Sequence, residues 1–412
     1  MVTFDRTNYN MVFWRGTNYN MNLVTENGIW VGDQSAETSG PAGCAEHMSD
    51  KQCRYAHVRI IENSDARAVV HWRYACSDVL YNISAVDPET GWGAWADEYY
   101  YIYPDGIAIR NFFVHGISGF SLTEPAIINN PGQKAEDNIR LDAVTLANIR
   151  GEIRTYSWDP WPGNERGLFG DGPKGAIICI LNLKSAYKPC YVYEPRSRIT
   201  PYGGGTAELR PGYSHFPTWN HWPVSQAPSD GRYALVPDRV SSSAITSPRT
   251  PAPRIAPNSL TRKGRFIMGL SDKPIEHLVT VARSWLNPPE LKIVGQQFVG
   301  EEYSRDQQAY IICKKGTDTH PVLDCELRAA DASPLVDPVF IVKNWGTHMC
   351  RLSIDGSPAT PAKDFRAGLR HRLEGSDLVL WVNIESASPV KLTVAPLNRH
   401  EQRLSPETAS PP

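Results

Sequence analysis

The chain has 412 residues, 41% of them hydrophobic and 21% charged, with a formal net charge of −2. That is enough to bury a large core. It offers no run of about 18 apolar residues to span a bilayer and no bulk positive charge to hold nucleic acid, so neither a membrane nor a nucleic-acid partner is expected, and the chain is expected to act as a monomer. Twelve Trp, 18 Tyr and 11 Phe, with 31 Gly and 33 Pro, suit an all-β protein with many turns.

The N-terminal Met-Val-Thr-Phe-Asp-Arg has no charged-then-apolar signal pattern. Either the protein is cytosolic or its true start is missing. Strand-like sequence begins at 11–14, and Asn27-Gly28 punctuates the strands of 23–31. Residues 53–74 read as one hairpin about the turn formers Asn63-Ser64-Asp65. A three-residue loop places His57 directly opposite His71 and Arg59 opposite Val69, with Cβ atoms of opposed residues about 4.5–5.5 Å apart. Alternation then puts Val58, Ile60, Ala68, Val70 and Trp72 on an apolar core face, and leaves both histidines with Arg59 and Arg67 on a polar one. A second hairpin, 101–110, turns at Pro104-Asp105-Gly106 and pairs Tyr100 with Arg110. Its register leaves Tyr99 or Tyr101 open as the relevant phenol.

Further strands are predicted at 111–115, 151–157, 176–183, 189–193, 265–270, 292–299, 309–313, 322–328, 338–343, 350–354, 378–383 and 390–395, with one short helix near 276–285. Residues 240–264, rich in Ser, Pro and Arg, read as a long surface loop, and the tail 398–412 as disordered.

Two histidines, a tyrosine and an arginine match the needs of β-elimination from a uronic acid. The C5 proton must be taken, the carboxylate neutralised and the leaving oxygen protonated. Arg110 with one histidine would neutralise; the other histidine or Tyr100 would be the base, and Tyr100 the acid. No carboxylate pair of the ordinary glycosidase kind stands out. Residues 214–223 crowd Trp, Asn and His into a Pro-bounded loop, and loops carry sites. These are sugar-contacting groups, or His215 and His221 join Cys313 and Cys325 around a zinc ion, a legitimate tetrahedral set. Two core thiols or a disulfide compete with that zinc, and Cys44 and Cys53 with His47 between them raise the same question. Asn82-Ile83-Ser84 is a glycosylation sequon, relevant in a secreted protein.

Phe-Trp-Arg-Gly-Thr-Asn-Tyr (13–19), Val-Thr-Glu-Asn-Gly-Ile-Trp (24–30), His-Val-Arg-Ile-Ile-Glu (57–62), His-Trp-Arg-Tyr (71–74), Asp-Glu-Tyr-Tyr-Tyr-Ile-Tyr-Pro-Asp-Gly (97–106) and Trp-Asn-His-Trp-Pro-Val (219–224) resemble segments of the seven-bladed β-propeller ulvan lyases. The related propeller α-L-rhamnosidases, which release rhamnose from glucuronic acid, look similar. The resemblance implies a single seven-bladed β-propeller over 1–397 and an extracellular enzyme acting on rhamnose–glucuronate units of an acidic polysaccharide. It implies His57, His71, Tyr100 and Arg110 as catalytic groups. Arg15, Asn18, Arg59, Trp219, Asn220, Trp222 and Arg232 would bind substrate, and a structural zinc would sit on His215, His221, Cys313 and Cys325. Elimination leads, hydrolysis by a rhamnosidase is the alternative, and a non-catalytic sugar-binding propeller is the third possibility.

Overall fold

The computed structural model describes residues 1–117, 119–122, 124–159, 172–202, 213–220, 222–226, 234–318 and 320–397. The expectations for His221, Arg232 and the tail 398–412 lie outside those residues. Where the sequence predicts one domain, the chain divides into two compact units. One comprises Met1–Ile61, Val69–Ile102 and Gly106–Val279; the other comprises Glu62–Ala68, Tyr103–Asp105 and everything from Thr280 onward.

The first unit is built on two antiparallel sheets. The larger has nine strands, in the order Ile153–Tyr156, Ile139–Ala147, Ile178–Leu183, Lys188–Tyr193, Arg262–Ser271, Ile107–His115, Trp95–Ile102, Ala68–Ala75 and His57–Asn63. The other has seven: Val2–Thr3, Asn10–Phe13, Met21–Val24, Trp30–Asp33, Pro125–Asn129, Ser241–Ala244 and Thr218–Trp219. The alternation of Trp95–Ile102 shows why the large sheet has two chemically distinct faces. Ala96, Glu98, Tyr100 and Ile102 are buried, whereas Trp95, Asp97, Tyr99 and Tyr101 are only half-buried. The buried face meets the seven-stranded sheet, with Phe13 edge-on to Tyr100 at 5.3 Å and the Trp72 indole N–H donating to Asn18 O at 3.0 Å. At the hairpin turn Gly106 has φ +81° and lies against the Tyr9 hydroxyl, where a side chain has no room.

The segment 240–264 is no surface loop. It contains the strands Ser241–Ala244 and Thr246–Arg249 and leads into Arg262–Ser271. Ser241, Ser242 and Ser243 are buried. Their hydroxyls are satisfied by polar neighbours: Asn129 Nδ2 donates to Ser243 Oγ at 2.9 Å, and Thr218 Oγ1 shares a hydrogen bond with the same hydroxyl at 2.6 Å. Serine composition signals a loop only while its side chains face water.

The second unit stacks two five-stranded sheets. One runs Glu290–Val294, Leu323–Arg328, Val390–Pro396, Cys350–Ile354, Ser357–Pro358; the other runs Phe298–Gly300, Ala309–Lys314, Val339–Lys343, Gly375–Val382, Phe365–Arg372. Alternate residues of both, among them Leu323, Leu327, Leu392, Ile312, Phe340 and Leu380, make a single core. The helix Ile275–Leu286 matches the one predicted, and no helix among the described residues is long and apolar enough to cross a membrane.

The protein is mostly β, as expected, but a propeller would require repeated four-stranded blades. The described strands gather instead into sheets of nine, seven, five and five, with smaller groups beside them. Short strands and frequent turns are common to propellers and sandwiches. What separates them is which distant strands pair, and local periodicity does not encode that.

Candidate functional site

The outer face of the nine-stranded sheet gathers the polar residues. Its centre is Asp97, on the strand Trp95–Ile102. Asp97 Oδ1 lies 2.7 Å from His71 Nε2, and Oδ2 lies 3.1 Å from His115 Nε2. Arg59 Nε donates to His71 Nδ1 at 3.2 Å. A guanidinium N–H can only donate, so Nδ1 holds the lone pair and Nε2 carries the proton given to Asp97. His115 Nδ1 is 2.9 Å from the Thr261 hydroxyl. Burial would raise the Asp97 carboxyl, but the bonds from His115 and His71 and the Arg73 charge outweigh it and hold it well below the usual carboxylate range. Asp97 is therefore an anion that fixes two imidazoles.

Tyr99 stacks on His71 with ring centres 4.6 Å apart and planes at 18°. Burial first, then the Asp97 charge, raises its phenol pKa, so the hydroxyl stays protonated. Arg73 Nη1 lies 3.8 Å from Asp97 and its guanidinium sits 5.3 and 5.8 Å from the Trp95 and Trp92 rings. Trp92 is 59% exposed. Lys263 lies 5.3 Å over Phe113 on the same face. The result is a cationic surface with an exposed indole and an oriented base beside a protonated phenol.

The first hairpin reaches this face in a register the sequence did not predict. Ser64 N donates to Arg67 O, and Ala75 N donates to Tyr55 O. The turn therefore lies at Asp65-Ala66, and Arg59, rather than His57, meets His71. His57 is exposed on the edge strand His57–Asn63. Ile60, expected in the core, is 57% exposed. Arg67, expected beside Arg59, is buried in the second unit, where it grips Glu62 with two bonds of 2.7 and 2.9 Å.

In the second hairpin Tyr100 stands opposite Arg110 as predicted, but the pair lies on the inner face, away from His71. Arg110 Nε and Nη2 donate to Glu98 at 2.7 and 2.9 Å, its Nη2 also donates to Ser35 Oγ at 2.7 Å, and its Nη1 pairs with Asp33. Tyr74 and Tyr100 donate to the same Glu98 at 2.8 and 2.6 Å. Burial pushes the Tyr100 phenol well up. This is a fully paired buried ion network that joins the two sheets. Burying charges is tolerable only with such full pairing.

The remaining expected residues scatter. Arg15 is exposed and donates to Gln52 O at 3.0 Å, while Asn18 is buried and donates to Asp50 O at 3.0 Å. Trp222 is buried over Gly32, where a Cβ would come within 2.9 Å of the indole. Trp219 and Asn220 are half-buried, and the backbone oxygens of Asn220 and Trp222 accept from Lys51 Nζ at 3.0 and 2.9 Å.

The zinc set is not assembled among the described residues. His215 Nδ1 pairs with Glu136 in the first unit. Cys325 is part of the second unit's core, and Cys313 follows the core residue Ile312 on the opposite face of its strand. All eight cysteines are free, so the disulfide alternative does not hold either. Among the described residues one group places three metal-ligating atoms within 4.8 Å of one another: Glu37, Cys44 and Glu46. His47 lies apart from that group, buried with its Nε2 beside Asp33 O at 3.1 Å.

Sequence reasoning missed Asp97, Arg73, Trp92 and His115. The signal for two of them was present. Extending the second hairpin's register to its far end sets Asp97 opposite Phe113 and Trp95 opposite His115, and alternation puts all four on the face of Tyr99.

No family model and no curated protein matches the chain. Similar solved structures include a Paenibacillus xanthan lyase, with TM-score 0.31, 7% identity and coverage of 95% of this chain and 38% of that one. Another is galactose 1-epimerase from Lactobacillus acidophilus NCFM, with TM-score 0.23, 10% identity and coverage of 62% and 89%. The chain spans 38% of the length of the xanthan lyase. Neither likeness reaches a score that establishes a common fold. The fold and site define a two-unit, mainly antiparallel β protein, with one parallel pair between Ala309–Lys314 and Val339–Lys343, and a cationic, histidine-bearing sheet face.

Proposed function

We propose that this chain is a carbohydrate-active enzyme that binds an acidic glycan on the outer face of the nine-stranded sheet and cleaves it by β-elimination beside a uronic acid. Rhamnose–glucuronate is the unit suggested by the sequence resemblance. The observation that carries the proposal is the Asp97-held imidazole of His71, stacked on Tyr99 and flanked by Arg59 and Arg73.

In this mechanism Arg59 exchanges His71 Nδ1 for the uronate carboxylate, which frees the lone pair to take the C5 proton. The C–H electrons form the new double bond as the C4–O bond breaks. Asp97 steadies the imidazolium that results. Tyr99 gives its proton to the departing oxygen. Arg59 and Arg73 stabilise the charge that grows on the carboxylate in the transition state.

The test is incubation with glucuronate-containing glycans, ulvan among them. Elimination creates a conjugated double bond, so ultraviolet absorbance should rise with wild-type protein and fail to rise with His71→Ala. Free rhamnose without that absorbance would assign hydrolysis instead. Binding without any product would assign a sugar-binding protein.

A further inference from the structure

A groove of about 370 Å³ opens next to the proposed site, lined by Phe120, Ser121, Leu122, Arg249, Thr250 and Arg262 among others. The groove neighbours the catalytic face only along the chain: Arg262 follows Thr261, the partner of His115, and pairs across the sheet with the buried Val114, which sets its side chain on the inner side of that edge. Its charge pattern is unusual. Arg198 stands directly opposite Arg249 in one strand pair, and Arg254 bridges opposite Arg262. Like charges directly opposed across strands repel and destabilise the pairing.

Among the described residues none of these four arginines has a carboxylate partner. Arg254 and Arg262 donate instead to the backbone oxygens of Pro257 and Ala252, at 3.5 and 3.1 Å. The carboxylates on neighbouring segments are engaged elsewhere. Glu37, opposite Ser121, accepts from Gln34 at 2.5 Å and contacts Cys44. Glu194 pairs with Arg265 at 3.0 Å. An anion lodged between the arginines relieves the repulsion and satisfies donors that only water would otherwise meet.

We propose that this groove is an anion subsite for a second acidic group, carboxylate or sulfate ester, on the same glycan chain whose uronate is processed at His71. The location of the processed uronate rests on the elimination proposal; the binding of acidic sugar in the groove does not. The subsite makes the protein selective for chains with more than one acidic group.

The experiment is calorimetric binding to the full chain of acidic oligosaccharides of increasing length, with carboxyl-reduced oligosaccharide and sodium sulfate as separate arms. The proteins are wild type, Arg249→Gln/Arg262→Gln, which removes the two arginines lining the groove, and Arg249→Lys, each with its melting temperature checked. Two charge-assisted bonds lost should weaken the long acidic oligosaccharide about tenfold or more, while a single uronate unit is unaffected and Arg249→Lys keeps most of the affinity. Any turnover should show KM raised and kcat unchanged. Equal affinity of the double variant and wild type for the long oligosaccharide would overturn the subsite. So would sulfate alone binding as tightly as the oligosaccharide, which makes it a free-anion site, or a single-stranded DNA of similar length binding more tightly. Arginine-dependent binding with no product at all would keep the subsite and remove the elimination proposal; elimination indifferent to these arginines would do the reverse.

Discussion

Asp97 carries two histidines at once, and its ionised state is what gives each ring a defined tautomer. Asp97→Asn presents an amide whose N–H₂ opposes the Nε2–H of His71, so the ring turns over or loses its hold. Turnover should fall about 10²–10⁴-fold with little loss of binding. Tyr99→Phe should fall comparably, because it removes the proton donor and nothing else. Tyr100→Phe is the contrast: its hydroxyl serves the buried Glu98, so kcat should hold while stability drops by about 1–3 kcal/mol. Steady-state kinetics and urea melts on the three variants separate these outcomes. His47 supplies a second residue-level prediction. Burial drives its ring down to about 3 from an ordinary 6.5. Between those values the unfolded chain takes up a proton that the native state refuses. Stability should therefore rise with pH from about 3 to 6.5 and level off above. Urea midpoints measured across that range should show a shallower rise in His47→Asn, and an unchanged slope would mean that the ring titrates normally.

At the scale of elements, the second hairpin was the most legible part of the molecule. Pro104-Asp105-Gly106 fixed its turn, and the observed pairing of Tyr100 with Arg110 follows. What the residues could not reveal is which face the seven-stranded sheet would cover. A tyrosine beside an arginine reads equally well as a reactive pair and as a buried ion network, and only the covering sheet decides. The first hairpin failed one step earlier, because Asn63, Ser64 and Asp65 are all turn formers and the actual turn uses the less obvious Asp65-Ala66. In Ala68–Ala75 the alternation of direction survived that error, with Trp72 turned inward and His71 toward Asp97, because alternation within a strand does not depend on its partner; the expected contrast in burial did not, since Val69 and His71 are buried as well. The inner network invites a direct measurement. Glu98→Gln leaves the Arg110 charge short of a counter-ion in the interior, and breaking a buried pair in this way should cost about 3–5 kcal/mol. Denaturant titration reads it, and a loss under 1 kcal/mol would show that Asp33 alone satisfies the guanidinium.

For the whole molecule, composition and turn density correctly indicated a β protein, and most predicted strands from 176 onward have counterparts. The assembly did not follow, since the nine-stranded order joins residues from 57 to 271 and rests on long-range pairings. The second unit has a core of its own, and Leu380 is buried in it. Leu380→Ala should cost about 2–5 kcal/mol of stability, measured by denaturant titration. Sugar binding on the outer face should be retained in the folded variant, because every residue assigned to that face belongs to the first unit.

The strand Trp95–Ile102 interleaves two inheritances. Odd positions hold the outer chemistry and even positions hold the inner ballast, one residue apart. Point substitutions can therefore revise one trade without touching the other, so substrate preference is free to drift while the keel is kept. Changes of length have no such freedom. Removing a single residue between Asp97 and Tyr100 would exchange the sides of those that follow, sending a tyrosine meant for the interior outward and an outer one inward. Among descendants of this chain that keep its chemistry, the strand should vary in letters at Trp95 and Tyr101, the odd positions outside Asp97 and Tyr99, and never in count.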